Sequence, residues 1–323
     1  MNIHNEPLVS IITPAHNEER YIAESIESIL AQTYTNWHCV IVNNCSTDRT
    51  FELAQKYAEK DARIRVINND VLLPAVANFN RGLREISPDS RYCKMLLADD
   101  WMFPECLQKM VALMEAHPSL GVVGAYGVQE DRVLSQGLRY GAGVYPGHEI
   151  GRDRLLGGPY LFGSQTAVLY RSDLVRKRDP FFNEANPHGA DSEACFELLK
   201  ESDFGFVFQV LTYSRERPGS LQQFSMRINA SAADTVTELK KFGPSFLTRD
   251  ELEARLSYLV DRYYEFLATN LFRWRGGSFW KFHESRLRAE GIRFSYLSLL
   301  GGLARKIAER FRTRPRDQCK WGL

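Results

Sequence analysis

The chain has 323 residues, 44% of them hydrophobic and 25% charged, values that exclude disorder, collagen and low-complexity readings. Its 41 Lys and Arg nearly balance 40 Asp and Glu, so no global field draws in nucleic acid. The balance hides an asymmetry: residues 286–323 hold ten basic and three acidic side chains, so a slightly acidic body ends in a basic segment.

Leu8 to Pro14 reads as a buried strand ended by proline. Ile22, Ile26, Ile29 and Leu30 then recur on one helical face. Trp37 to Val42 predicts a second strand, and Ser46-Thr47-Asp48 supplies cap candidates for a helix carrying Phe51, Ala54, Tyr57 and Ala58. Ile64 to Ile67 is a third short strand, and Pro74 opens a helix with Val76, Phe79, Leu83 and Ile86 inward. Cys93 to Ala98 is a fourth strand. Leu107, Met110, Val111 and Met114 mark a helix stopped before Pro118, and Leu120 to Tyr126 is a fifth strand. Strands apolar on both faces, alternating with helices through short connections, predict an α/β fold with a mostly parallel sheet covered on both sides. Ligands of such sheets sit outside the carboxyl ends of the strands. The polar residues there are His16-Asn17-Glu18, Asn43-Asn44, Asn68-Asn69-Asp70 and Asp99-Asp100.

From 127 to 224 the alternation stops and glycines and aromatics cluster, notably over Gly157 to Gly163, which predicts a loop-rich, substrate-facing half. Asp191 to Lys200 predicts a helix. From about 226 the chain reads as helical, with apolar stripes at Leu252, Leu256, Leu259, Tyr263, Phe266 and Leu267 and at Tyr296, Leu299, Leu300, Leu303, Ile307 and Phe311. The boundary is drawn as 7–224 and 225–323. The six cysteines show neither C-x-x-C nor zinc spacing, as expected of reduced thiols in a cytosolic protein. No leader pattern opens the chain, and no run of 18 apolar residues exists.

Adjacent carboxylates at Asp99 and Asp100 repel unless something offsets them; a hard divalent cation would, and a helix-capping role for one of them is the alternative. The exit Thr13 to Glu18 could face a base and a ribose through backbone groups and Glu18, or be a plain turn. Asp191 fits either a helix N-cap or a general base, and Glu193 is its runner-up. Arg215 and Arg217 alternate on an extended segment and suit either a pyrophosphate or a solvated edge. There is no G-x-G-x-x-G after the first strand, no P-loop and no G-x-S-x-G elbow, so a dinucleotide-binding dehydrogenase, a P-loop NTPase and a serine hydrolase each lose their main signature.

Taken together, Val9 to Glu18, Ser25 to Tyr34, Val42 to Thr50, Asn78 to Leu83, Ala98-Asp99-Asp100 and Asp191-Ser192-Glu193 resemble the ordered motifs of a family 2 glycosyltransferase, inverting and of GT-A fold. The resemblance implies a GT-A domain, with a helical C-terminal region after it. It implies sugar transfer from a nucleoside diphosphate sugar (UDP, dTDP or GDP) to the hydroxyl of a glycan or lipid-linked acceptor, in cell-surface polysaccharide or glycan assembly. Carried over by position, Thr13, Pro14, Ala15, Glu18, Asn44 and Asn80 would bind the nucleotide. Asp99 and Asp100 would hold Mg²⁺ or Mn²⁺, Arg217 would stand on the donor side, and Asp191 would be the base. A nucleotidyltransferase and a catalytically silent binding module are the alternatives.

Three positions depart from the pattern. Asn43-Asn44 replaces an acidic pair, Leu97 replaces the first aspartate of D-x-D, and Arg217 stands where many relatives have histidine. The metal would then have fewer protein ligands, or Arg217 would take over part of its charge. The basic amphipathic end suits an anionic membrane surface at the cytoplasmic face, a homodimer contact, or a helix packed on the body.

Overall fold

The computed structural model describes residues 6–141, 143–217, 229–273 and 275–312. The chain divides into two compact units, Met1–Gln223 and Phe224–Leu323. The boundary expected at 224, together with Arg314 and Arg316, lies outside the described residues, as do the side chains of Arg310, Phe311 and Arg312.

In the first unit, β1 (Val9–Ala15), α1 (Ile22–Leu30), β2 (Trp37–Asn43), α2 (Thr50–Ala58), β3 (Ile64–Asn68), α3 (Ala75–Leu83) and β4 (Tyr92–Met95) follow the predicted alternation. Then come β5 (Trp101–Met102), α4 (Cys106–Ala116), β6 (Leu120–Gln129), β7 (Arg132–Leu134), β8 (Val144–Tyr145), α5 (Gly147–Leu155), β9 (Val168–Arg171), α6 (Ser172–Arg176), α7 (Ala190–Leu199) and β10 (Asp203–Tyr213). The sheet runs β3-β2-β1-β4-β9-β6-β10-β5, with β7 on β6 and β8 on β10. β3, β2, β1 and β4 are parallel, as are β6 and β10, while β9 runs antiparallel between β4 and β6.

The fourth strand ends sooner than the apolar run suggests. After Met95 the chain leaves the sheet, and an Asp100 N–H bond to the Leu97 carbonyl closes a turn. That turn presents the two aspartates at the sheet's carboxyl edge. Gly82 lets α3 sit close on the sheet, since a Cβ there would lie 2.5 Å from Ile12 Cγ2. A core of Ile11, Ile26, Cys39, Ile41, Met110 and Val123, with its neighbours, packs one face of the sheet.

The second unit contains α8 (Ser231–Phe246), α9 (Arg249–Leu271), α10 (Gly277–Ala289) and α11 (Tyr296–Arg312). Thr248 and Glu251 form a reciprocal capping box at the start of α9. Val236, Tyr263, Tyr264, Leu267, Phe279, Leu287 and Leu299 build its core. Among the described residues, no helix is long and apolar enough to cross a membrane.

Candidate active site

The ends of β1 and β2 are stitched to each other. Asn17 and Cys45, both non-glycine, adopt left-handed φ of 55° and 53°. Asn17 N–H donates to Ser46 Oγ at 2.9 Å, and Thr47 N–H donates to Asn17 Oδ1 at 2.8 Å. Asp48 accepts from the N–H groups of Glu19 and Thr50, each at 3.0 Å. It thus closes the turn before α2 and gives the first N–H of the helix its side-chain acceptor, one residue ahead of the positional N-cap, Arg49, which makes no such bond.

Thr13, Pro14 and Ala15 are buried in the sheet, so any contact they offer a base is through backbone. Asn44 is also buried. Its Oδ1 accepts from Asn69 Nδ2 and Leu73 N–H, both at 2.9 Å, and its Nδ2 donates to the Leu73 carbonyl at 2.8 Å. The amide that replaces an acidic residue here therefore shapes the 69–73 loop. Asn80 pairs with both backbone groups of Phe182 and with Glu184 Oε1, at 2.8–2.9 Å, and anchors a loop from the far half of the domain.

The two aspartates have separate surroundings. Asp100 is turned inward: Oδ2 accepts from Thr166 Oγ1 at 2.6 Å and Ser214 Oγ at 3.2 Å, and Oδ1 accepts from Arg215 N–H at 2.9 Å. Burial, with Asp99 adding to it, pushes its carboxyl up to about 7. Asp99 faces Arg217, whose Nε lies 2.6 Å from Asp99 Oδ2. The Nε–H is not aimed at the carboxylate, so this contact is a close ion pair and not a hydrogen bond. Arg217 Nη1 lies 2.5 Å from Glu18 Oε1. Glu18 is 4% exposed, and its Oε2 has no hydrogen-bond partner among the described residues. Burial lifts the Glu18 carboxyl to about 7; Arg217 opposes that rise and Asp99 reinforces it. Arg215 belongs to the same corner, with its guanidinium on the Asp99 carbonyl at 3.1 Å, on Glu24 at 2.7 Å and over the Tyr21 ring.

Asp191 and Glu193 divide similarly. The N-cap of α7 is Gly189, so Asp191 lies in the first turn and the capping alternative is corrected. Asp191 Oδ1 accepts from Ser192 N–H at 2.9 Å, and Tyr160 Oη stands 3.5 Å from Oδ2, at the limit of a hydrogen bond. Glu193 is buried, and its oxygens accept from Asn183 Nδ2 at 2.8 Å and Asn186 Nδ2 at 2.6 Å. It holds the loop before the helix.

Four residues missed by sequence reasoning organise this site. Thr166 and Ser214 hold Asp100, and Tyr160 reaches Asp191. Lys94, fully buried, donates to the carbonyls of Thr166 and Val168, and burial lowers its ammonium's pKa. A lysine inside the apolar run Tyr92 to Leu97 was the one signal available. The segment 160–166 thus touches Asp191 at one end and Asp100 at the other. Six residues span at most about 20 Å, so one short segment links the start of α7 to the turn after β4.

Among the described residues no group of three His, Cys, Asp or Glu could hold a metal alone. Asp100, expected as a ligand, has both oxygens engaged by protein donors. Asp99 supplies one carboxylate, which fits an ion that completes its shell with substrate phosphates and water, as Mg²⁺ commonly does.

An open sheet with helices on both faces and acidic turns at its carboxyl edge is the GT-A fold of nucleotide-sugar transferases. The glycosyl transferase family 2 profile matches residues 10–179. EpsE of Bacillus subtilis (strain 168), a protein named as a glycosyltransferase, is 30% identical over 261 residues, covering 76% of this chain and 91% of that protein. The chain belongs to glycosyl transferase family 2. Among solved structures, S. aureus TarS 1–349 in complex with UDP-GlcNAc is similar, with TM-score 0.62 at 19% identity, covering 82% of this chain and 74% of that one. The mannosyltransferase PcManGT from Pyrobaculum calidifontis, in complex with GDP-Man and Mn²⁺, gives TM-score 0.57 at 19% identity, over 96% of this chain and 83% of that one.

Proposed function

We propose that the protein is an inverting, metal-assisted glycosyltransferase that moves a hexosyl or deoxyhexosyl group from a nucleoside diphosphate sugar to the hydroxyl of a glycan or lipid-linked acceptor, in polysaccharide assembly. The observation that carries this reading is the pair of buried carboxylates at the carboxyl edge of the sheet, Glu18 after β1 and Asp99 after β4, which share the Arg217 guanidinium. The folds shared with TarS and PcManGT, whose complexes hold UDP-GlcNAc and GDP-Man, support a UDP or GDP donor, with dTDP as the third candidate from the sequence.

In this reading Asp191 accepts the proton of the acceptor hydroxyl as its oxygen attacks the anomeric carbon from the face opposite the diphosphate. One C–O bond forms while the bond to the diphosphate breaks, and its electron pair leaves with the nucleotide. An Mg²⁺ or Mn²⁺ ion held by Asp99 against the diphosphate would neutralise charge developing on the leaving group. Glu18 and the backbone of Thr13 to Ala15 border the nucleoside, and Asn44 and Asn80 fix the loops around it. Asp100, locked by Thr166 and Ser214, holds the turn that aims Asp99. Register between donor and acceptor supplies much of the rate.

The helical unit supports action at the cytoplasmic face of a membrane. Tyr296, Leu297, Leu300 and Ile307 of α11 are exposed, just before the basic end of the chain. A donor screen following nucleotide release across UDP-, GDP- and dTDP-sugars tests the activity. Release from one donor, dependent on acceptor, is expected. Calorimetry with the three nucleotides, with and without Mn²⁺, tests the site itself, and no nucleotide binding under any condition would leave the silent-module alternative.

A further inference from the structure

The corner between β1 and the β4 turn already contains a cation. Glu18 and Asp99 are both largely buried and repel each other, and the Arg217 guanidinium sits between them, 2.5 Å from one and 2.6 Å from the other. A divalent ion binding Asp99 Oδ2 would have to displace it. The occupant differs from the other arginine of the corner. Arg215 is fastened by a backbone carbonyl, by Glu24 and by two aromatic rings. Arg217 is held, among the described residues, by two ion pairs, one of them without hydrogen-bond alignment, and its side chain stays 36% exposed. The buried Glu18 Oε2 is left without a partner beside it.

We propose that Arg217 is an exchangeable counter-ion: without donor its guanidinium occupies the cation position on Asp99 and keeps a free divalent ion out, and the donor's diphosphate draws it away, so that metal and nucleotide enter as one event. The proposal rests on the reading of Asp99 as the carboxylate facing the diphosphate. A free divalent ion at Asp99 would meet a guanidinium within contact distance, already paired with both carboxylates of the corner. A diphosphate changes this. It brings oxygens that complete the ion's shell, and a planar guanidinium binds phosphate oxygens in a bidentate fork. Metal and nucleotide then favour each other's binding, and the coupling is reciprocal. Arg217 thus competes with the metal in the resting state and serves the phosphate in the loaded state.

The test is Mn²⁺ binding followed by calorimetry and by the loss of free-ion electron paramagnetic resonance signal, on the full chain, with UDP, GDP and dTDP as probes. In the parent, Mn²⁺ alone should bind weakly, and the nucleotide that binds should tighten it by roughly 5–150-fold, the usual range of such couplings. Arg217→Gln should bind Mn²⁺ alone at least about tenfold more tightly than the parent, while its nucleotide coupling shrinks toward its lower limit. Arg217→Lys, which keeps the charge but spans one carboxylate at a time, should lie between and provides the comparison should the glutamine variant not fold. Asp99→Asn added to Arg217→Gln should abolish the gained Mn²⁺ site. Equal Mn²⁺ affinity of the parent and both Arg217 variants without nucleotide would overturn the proposal, as would a gained site that survives Asp99→Asn. The donor reading fails separately, if none of the nucleotides binds the parent, because the nucleotide-free titration still judges the counter-ion.

Discussion

Two buried glutamates show how the two units differ. Glu265 of α9 is 5% exposed and takes Arg262 on one oxygen at 2.7 Å and Arg305 on the other at 2.9 Å. Glu18, at the end of β1, is buried as deeply, yet it shares a single arginine with Asp99 and keeps one oxygen bare. In the helical unit His283, fully buried, meets Tyr263 Oη at 2.6 Å within a ring of aromatics. The sheet unit leaves incomplete pairs at its strand ends. Unmatched buried charge is costly unless a ligand or proton completes it. The difference between these two glutamates is consistent with the proposed binding role of the sheet edge and a structural role for Glu265.

The sharpest way to break this contrast lies at Asp191 and Glu193, two residues apart on α7. Asp191→Asn keeps the shape and removes the base. Turnover should fall about 10²–10⁴-fold, the usual worth of a positioned base, with nucleotide affinity and Tm nearly unchanged. Glu193→Ala should do the reverse. It strips the acceptors from Asn183 and Asn186, which should cost about 1–3 kcal/mol of stability, seen as a lower denaturation midpoint, while turnover per folded molecule holds within a few-fold. If Glu193→Ala loses turnover at unchanged stability and Asp191→Asn keeps more than a tenth of it, the two roles are exchanged.

Glu265→Ala addresses the scaffold side. Arg262 and Arg305 are more than a third exposed, so no buried cation is stranded and solvent screens much of the loss. Roughly 1 kcal/mol of stability should go, with nucleotide binding by calorimetry untouched. A change in nucleotide affinity equal to that of an Arg217 variant would end the division between scaffold and site.

The sequence carried most of the first half. The strands at Val9 and Trp37 are buried on both faces, the one at Ile64 is a half-buried edge, and the polar residues that follow them do mark the carboxyl edge. What it could not carry was pairing. That Asp100 turns to Thr166 while Asp99 turns to Arg217 depends on β9 inserting antiparallel between β4 and β6, a contact 66 residues away in the chain. Asn80 looked like a nucleotide contact because its motif is local, but its partners lie 102 and 104 residues on. In the helical unit, one stripe was expected from Tyr296 to Phe311, and the structure divides it. Leu299 and Gly302 face the core, with Gly302 lying where a Cβ would be 2.7 Å from the Tyr264 carbonyl oxygen, while Tyr296, Leu300 and Ile307 turn outward. Periodicity shows that a face is apolar, not how much of it a neighbour covers.

The outward part of that stripe gives the smallest effect on the folded protein and the last test of the contrast. Tyr296 is 77% exposed and Leu297 82%, so removing apolar atoms there costs no packing. Leu297→Ser with Leu300→Ser should change stability by no more than about 0.5 kcal/mol. Their burial in a lipid interface would instead be worth about 1.5–3 kcal/mol each, so the double variant should lose more than tenfold in binding to vesicles. The basic end adds about 1 kcal/mol per Lys or Arg near an anionic surface. Flotation with phosphatidylserine-containing and neutral vesicles separates the two contributions. The parent should float with anionic vesicles and much less with neutral ones, and the double variant should float with neither. Equal recovery on both lipids would remove the membrane reading. If light scattering then showed a parental dimer that the same two serines convert to monomer, the exposed face of α11 would be a contact between copies of this chain.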